Sequence, residues 1–205
     1  MAQALKRQGI GFEDFKDQVL RDGAEVLAQT VNTQPLMLTA GIAVYREWIA
    51  RGGALPSLVA GHSLGEYSAL VVAGALDFQE AVKLVRLRAQ AMQEAVPQGE
   101  GAMAALLGLD EAAAVDACAE AAQGEVVSAA NLNSPGQIVI AGARAAVERA
   151  MAAAKARGAK RAVLLPVSAP FHCALMKPAA ERLQQRLADI EVRVPAIPVL
   201  NNVDV

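Results

Sequence analysis

Residues 58–70 read LVAGHSLGEYSAL, and they put a serine where an apolar strand turns into a helix. Residues 61–65, GHSLG, match the pattern G-x-S-x-G, which holds a nucleophilic serine on a sharp strand-to-helix turn. Glycines let neighbouring backbone pass close to the turn, and the new helix directs its positive N-terminal end toward the serine. The stretch therefore predicts an α/β domain in which Ser63 is a nucleophile. The alternative is a tight turn whose serine only caps the helix.

The composition is that of a folded protein with little net charge. The 205 residues are 54% hydrophobic and 20% charged, and the formal net charge is −2. These values exclude a disordered chain and give no indication of nucleic-acid binding. Two cysteines are too few for a disulfide framework or a zinc site, so we expect no metal. The N-terminus carries charges instead of the apolar core of a signal peptide, and no apolar run could span a membrane. We therefore expect a soluble, cytoplasmic protein without a membrane or nucleic-acid partner.

The pattern on either side of Ser63 predicts alternating helices and strands. Residues 56–62 form a short apolar run between turn signals, which is typical of a buried parallel strand. Asp77 is positioned to cap a helix whose apolar residues recur every three or four positions. The other segments predicted outside residues 101–166 are helices at 12–30, 34–51, 64–73 and 175–190 and a strand at 197–203.

Residues 101–166 have a different order of elements. Strand, helix, strand, strand, helix and strand follow one another, which is the βαββαβ order of a ferredoxin-like unit. The strands are predicted at 102–109, 125–133, 137–142 and 160–168, and the helices at 110–122 and 143–158. Because further strands lie on both sides, we predict that this small subdomain is inserted into an α/β core formed by residues 1–100 and 167–205.

A serine nucleophile needs a base, and the sequence has two histidines. His62 adjoins Ser63 on an extended strand, so its side chain points away from that of Ser63. His172 follows the predicted strand at 160–168, and loops after parallel strands gather catalytic groups. By elimination His172 is the base, although an ordinary loop histidine has the same surroundings. The acidic candidates for orienting the imidazole include Asp77, Glu80 and Glu94. None of them stands out, so the orienting group is a backbone carbonyl or lies outside the chain.

Arg88 borders the apolar side of its predicted helix, one turn after Leu84 and one turn before Met92. An arginine at such a position usually extends its charged end to water, and the local pattern slightly favours that interpretation. The alternative is a guanidinium fork for a carboxylate of the substrate. The residues by themselves leave a transferase and a hydrolase both open.

Several stretches together resemble one family of enzymes. GHSLGEYSAL, the helix that carries Arg88, NLNSPGQIVIAG and SAPFHCALMKPAA are similar to the malonyl-CoA:acyl-carrier-protein transacylases of fatty acid synthesis and to the acyltransferase domains of polyketide synthases. The resemblance extends from about Ala24 to the last residue. It implies a hydrolase-like parallel-sheet acyltransferase core. It also implies transfer of malonyl from malonyl-CoA to the phosphopantetheine thiol of acyl carrier protein. We further expect a monomer that needs no cofactor.

The resemblance also implies roles for individual residues. Ser63 is the nucleophile and His172 the general base and acid, while the backbone N–H of Leu64 binds the oxyanion. Arg88 matches the arginine that pairs with the free carboxylate of malonate, which reverses the preference drawn from the local pattern. The residues expected to bind substrate are Leu64, Arg88, Met92, Asn131, Asn133 and Phe171.

Two features of the family have no counterpart in the sequence. Family members begin with a strand that ends in a GQGSQ-like loop, whose glutamine helps to form the oxyanion hole. They also continue beyond NNVDV with further strands and helices. We therefore expect an incomplete acyltransferase core that is shortened at both ends. The alternative functions are a serine thioesterase or other hydrolase, and a catalytically impaired fragment of the transacylase.

Overall fold

The structure is a computed structural model that describes residues 26–27 and 29–203. Its helices are α1 (Thr30–Ala50), α2 (Leu64–Val72), α3 (Phe78–Glu94), α4 (Glu111–Ala122), α5 (Arg144–Ala156) and α6 (Lys177–Ala188). Its strands are β1 (Val59–Ala60), β2 (Gly101–Leu107), β3 (Val127–Ser134), β4 (Gln137–Ala143), β5 (Arg161–Leu164) and β6 (Val199–Leu200). Most of the helix predicted at 12–30 lies outside the described residues. Within the part of the chain that is described, no helix has both the length and the apolar character needed to cross a bilayer.

The chain divides into two compact units. The first unit comprises Met1–Gln90 and Leu183–Val205, and the second comprises Ala91–Arg182. The predicted subdomain at 101–166 lies within the second unit, and its boundaries stay a prediction.

The first unit contains a parallel pair of strands. β1 pairs with β6, with Val59 opposite Val199 and Ala60 opposite Leu200. Because the two strands run in the same direction, their carboxyl ends meet at one edge. The residues that follow β1 and β6 are therefore neighbours at that edge.

Helix α3 brings a buried stripe to the core of the first unit. The Oδ1 of Asp77 accepts hydrogen bonds from the backbone N–H groups of Gln79 and Glu80, at 2.8 and 3.1 Å. The helix therefore begins where the sequence predicts. The buried residues of this core are Leu38, Ile42, Leu76, Ala81, Leu84, Val85 and Ile190. Arg88 follows Leu84 by one turn and lies on the buried stripe itself, not at its border.

The second unit contains an antiparallel sheet in the order β3-β4-β2-β5. Helices α4 and α5 pack against one face of this sheet. Its βαββαβ order of elements is ferredoxin-like, as predicted. Alternate residues of β2 and β4 face the two helices, and Leu106 and Ile140 are fully buried between them. Small alanine side chains on α4 and α5 let the helices approach this face of the sheet closely.

Several predicted boundaries are wrong by a few residues. The strand predicted at 160–168 ends at Leu164. The N–H of Leu165 still donates to Met103, but the next N–H that could extend the ladder, that of Val167, donates to the carbonyl of Leu165 instead, at 2.9 Å. The helix predicted at 34–51 begins earlier, at Thr30, because the carbonyl of Gln29 accepts from the N–H groups of two following residues. The strands predicted at 56–62 and 197–203 shrink to the two paired residues of β1 and of β6.

Candidate active site

Ser63 occupies a strained turn between β1 and α2. Its φ and ψ angles are 52° and −106°, a conformation that a residue with a Cβ rarely adopts and that costs about 1–3 kcal/mol. A Cβ on Gly61 would lie 2.0 Å from the backbone of Gly65, whereas a Cβ on Gly65 would meet nothing within 4 Å. The close approach of neighbouring backbone, which the sequence predicts for both glycines, therefore requires glycine only at residue 61. The turn has the geometry that the G-x-S-x-G pattern predicts.

The hydroxyl of Ser63 does not cap helix α2. The side chain makes no capping hydrogen bond, so the alternative in which the serine serves only the helix is not observed. Instead, the Ser63 Oγ accepts a hydrogen bond of 2.9 Å from Nη2 of Arg88. The structure thus joins two of the residues that the sequence singles out, 25 positions apart in the chain.

Arg88 is buried, with 8% of its surface exposed, so its charged end does not extend to water. Its Nη1 donates to Oε1 of Gln34 at 2.6 Å, and Nε2 of Gln34 donates in turn to Oγ1 of Thr30 at 2.8 Å. The guanidinium carbon lies 5.5 Å from the centre of the Tyr67 ring. These contacts hold the planar fork in one orientation beside Ser63.

The charge of Arg88 is only partly compensated within the unit. Burial lowers the pKa of Arg88, and the nearby Tyr67 and Glu66 act in the opposite direction. Burial also raises the pKa of Tyr67, although Arg88 opposes that shift. Over residues 26–27 and 29–203, no carboxylate forms an ion pair with Arg88. A buried cation whose hydrogen-bond partners are neutral is a suitable binding group for an anionic ligand.

Asn202 contacts the turn from the neighbouring strand. Its Oδ1 accepts from the backbone N–H of Ser63 at 2.7 Å. Its Nδ2 donates to the carbonyl oxygen of Gly61 at 2.7 Å and to Oε2 of Glu66 at 2.6 Å. These contacts form because Asn202 follows β6 and Ser63 follows the parallel strand β1.

Leu64 is the first residue of α2, and the other predicted site residues lie in the second unit. His172 is exposed and has a φ of 61°, at the start of the turn that leads into α6. Met92 is buried in an apolar cluster with Phe171 at its edge. Asn131 is half-buried on β3 next to an irregularity of the ladder, and Asn133 is exposed near the end of that strand. The pairing of His172 with Ser63 stays a prediction.

The acidic candidates for a triad have other partners. Asp77 caps α3. Glu80 forms ion pairs with Lys83 and Arg186, at 2.6 and 2.9 Å. Glu94 pairs with Arg182. These contacts agree with the expectation that none of the three stands out as the group that orients the histidine.

Sequence reasoning missed Gln34, Tyr67, Glu66 and Asn202. Asn202 had a usable signal, since it follows an apolar run that could be a parallel strand, and such ends collect site residues. Glu66 and Tyr67 lie within residues 58–70, but glutamate and tyrosine are common on helices and gave no sign of a special role. Gln34 carried no signal, because only the packing of α1 against its neighbours brings it to Arg88.

Residues 6–204 match a protein family described as the acyl transferase domain. The chain belongs to this family. This chain is 62% identical over 182 residues to the malonyl CoA-acyl carrier protein transacylase of Escherichia coli K12. That alignment covers 89% of this chain and 59% of the relative, so the chain spans about three-fifths of the relative's length.

Two solved structures are also similar to this chain. An acyl carrier protein S-malonyltransferase from Vibrio cholerae has 56% identity and a TM-score of 0.92, covering 100% of this chain and 66% of its own. A malonyl-transacylase solved in complex with the acyl carrier protein of a type II polyketide synthase has 54% identity and a TM-score of 0.94, covering 100% and 65%. The predicted fold class, an α/β acyltransferase core with a ferredoxin-like insertion, is confirmed.

Proposed function

We propose that this acyl transferase domain moves a malonyl group from malonyl-CoA to the phosphopantetheine thiol of an acyl carrier protein, in fatty acid synthesis. The observation that carries the proposal is the fork of Arg88, which lies 2.9 Å from the Ser63 hydroxyl and has no carboxylate partner among the described residues. A malonyl thioester has its reactive carbonyl and its free carboxylate separated by one carbon. A nucleophile and a buried guanidinium side by side match these two groups.

The reaction has two acyl transfers. Oγ of Ser63 attacks the thioester carbonyl, its proton passes to His172, and the C–S bond breaks so that CoA leaves as a thiol with that proton. The thiol of the carrier then attacks the serine ester, with His172 accepting the thiol proton and returning a proton to Ser63. In both steps the N–H of Leu64 donates to the developing oxyanion, and Arg88 holds the carboxylate.

We also assign residues of the second unit to substrate binding. Met92 and Phe171 share one apolar cluster, and we assign them to the wall beside the acyl group. Asn131 and Asn133 supply polar side chains to the same substrate. The names of the relatives agree with this substrate class, and one of these relatives was solved with a carrier protein.

The proposal is tested by acylation of the isolated chain. Incubation with malonyl-CoA should increase the intact mass by one malonyl group, and peptide mapping should locate it on Ser63. Ser63→Ala should abolish the label. Ser57→Ala, which changes an exposed serine just before β1, should leave it intact. Labelling of Ser63→Ala at the rate of the unchanged chain would refute the proposal.

Transfer is distinguished from hydrolysis by the fate of the malonyl ester. With holo-carrier protein present, malonyl should appear on the carrier faster than free malonate appears in solution. Release of malonate at a higher rate than transfer would identify a thioesterase instead.

We also propose that the chain acts as a monomer in the cytoplasm. Ser63, Arg88 and Asn202 come from one chain, so this part of the site needs no second copy. Cys118 and Cys173 are free thiols, which suits a reducing compartment. Sedimentation velocity should give one species with the mass of a single chain, and a dimer would contradict the proposal.

A further inference from the structure

We infer that Asn202 is a positioning residue for Ser63, and that Glu66 helps to hold the Asn202 amide in the orientation that this role requires. The inference rests on the proposed use of Ser63 as a nucleophile, but not on the identity of the acyl group. Asn202 does not contact the Ser63 hydroxyl, so its effect on the reaction passes through the backbone of the turn.

The three hydrogen bonds of Asn202 span the whole turn. They reach Gly61 before the serine, the backbone of Ser63 itself, and Glu66 in the first turn of α2. One amide therefore connects the end of β1 to the start of α2 across the residue that is strained. The positive φ of Ser63 needs such external support, because a β-carbon disfavours that conformation.

Glu66 strengthens the preference of the Asn202 amide for one orientation. A carboxylate only accepts hydrogen bonds, so the NH₂ of Asn202 must point toward Glu66 and toward the Gly61 carbonyl. The amide oxygen is then directed to the N–H of Ser63. Without Glu66 the Gly61 carbonyl and the Ser63 N–H would still favour this orientation, but the NH₂ would lose one of its two acceptors.

The hydrogen bond between Asn202 and Ser63 also determines which backbone N–H of the turn is available to an oxyanion. The N–H of Ser63 is occupied by Asn202 and is not available to an oxyanion. Leu64 is the first residue of α2, where N–H groups have no partner within the helix, and in the described residues its N–H has no acceptor. By holding the Ser63 backbone, Asn202 directs the Leu64 N–H toward the reacting carbonyl.

The test compares the chain with four variants: Asn202→Ala, Asn202→Asp, Glu66→Gln, and the exchange variant that combines Asn202→Asp with Glu66→Gln. Asn202→Asp keeps an acceptor for the Ser63 N–H but sets a carboxylate against that of Glu66. In the exchange variant the new glutamine amide can donate to the new aspartate, which restores that hydrogen bond with donor and acceptor reversed. Asn32→Ala is the matched control, since it removes another exposed asparagine of the first unit whose amide donates to a backbone carbonyl.

Two reagents report on the serine. Single-turnover acylation by malonyl-CoA gives a maximal rate and a half-saturating concentration. A fluorophosphonate reports on the reactivity of the serine alone: the Ser63 oxygen bonds to phosphorus, the P–F bond breaks, fluoride leaves, and the serine proton passes to the base. If the chain reacts with the fluorophosphonate but not with malonyl-CoA, the proposed function fails while the role of Asn202 is still tested.

Asn202→Ala and Asn202→Asp should slow both reactions by roughly ten- to a hundredfold, the order expected when a reacting group is misplaced by about 1 Å. The half-saturating concentration of malonyl-CoA should change little, because Arg88 is untouched. The exchange variant should react faster than Asn202→Asp, and Asn32→Ala should match the unchanged chain. The inference is overturned if Asn202→Ala reacts at the unchanged rate, or if the exchange variant is no faster than Asn202→Asp. Melting curves of all variants identify any loss of rate that comes from unfolding.

Discussion

At the scale of single residues, Arg88 is a buried charge whose hydrogen-bond acceptors are neutral. Neutral acceptors on Gln34 and Ser63 satisfy some of its N–H groups, and Tyr67 covers its plane. Burial nevertheless lowers its pKa, which means that the site does not fully replace the water that the guanidinium has lost. A ligand carboxylate would supply the missing charge.

Arg88→Ala should therefore change the choice of substrate more than the chemistry. We expect acylation by malonyl-CoA to fall roughly ten- to a hundredfold relative to acylation by acetyl-CoA, because charge-assisted hydrogen bonds to the carboxylate are lost. The ratio of the two acylation rates measures the effect. Arg86→Ala removes an exposed arginine from the same helix and should leave the ratio unchanged. An unaltered ratio in Arg88→Ala would exclude Arg88 from acyl selection.

Cys118 offers a second test at the residue scale. Burial raises the pKa of its thiol to about 11. Because only the thiolate reacts, alkylation by iodoacetamide at pH 8 should be roughly a hundredfold slower than in the chain unfolded by urea. The rate should rise as the pH approaches 11. Mass spectrometry of the alkylated peptide gives both rates, and equal rates in the two states would show that the thiol is not buried.

At the scale of elements, the turn from β1 to α2 depends on one glycine more than on the other. An added Cβ on Gly61 meets backbone atoms that cannot rotate away, whereas Gly65 has open space at the corresponding position. The sequence pattern treats the two glycines alike, so it could not distinguish them.

Gly61→Ala should destabilise the chain by at least ~1–3 kcal/mol, because the turn must open to admit the methyl group. Gly65→Ala should be neutral or stabilising by up to ~1 kcal/mol, since alanine favours the helix that begins there. Urea denaturation followed by circular dichroism measures both changes. A larger loss for Gly65→Ala than for Gly61→Ala would contradict the geometry of the turn.

At the scale of the whole molecule, each unit has a core of its own. In the second unit the core lies between the ferredoxin-like sheet and its helices, where Ile140 is fully buried. In the first unit the core lies among α1, α3 and the residues around them. Both units therefore have buried apolar side chains whose removal should cost stability.

Ile140→Ala should lower the free energy of unfolding of the second unit by about 2–5 kcal/mol, because it leaves a cavity in a packed core. Val115→Ala changes an apolar residue on α4 that is 47% exposed, and it should have an effect within about 0.5 kcal/mol. Urea denaturation of both variants provides the comparison. Equal effects would show that the sheet and helices of this unit do not pack as described.

The sequence alone determined whatever depends on local spacing. It located the turn at Ser63 by its two glycines, the stripe of α3 by its three- and four-residue period, and the ferredoxin-like sheet by its βαββαβ order of elements. It also put Arg88 one turn after Leu84, although this spacing did not tell whether the guanidinium turns inward. Each of these features involves residues near one another in the chain, where backbone geometry sets the spacing.

Only the tertiary structure decided which distant residues meet. Asn202 reaches Ser63 from 139 positions away because β1 and β6 pair in parallel, and Gln34 reaches Arg88 across 54 positions because α1 packs near α3. Strand partners and helix neighbours are selected by the shared burial of apolar faces, which no local period encodes. For the same reason, Arg88 is buried beside the Ser63 hydroxyl instead of lying in water, and that position makes it a candidate for binding a ligand's carboxylate.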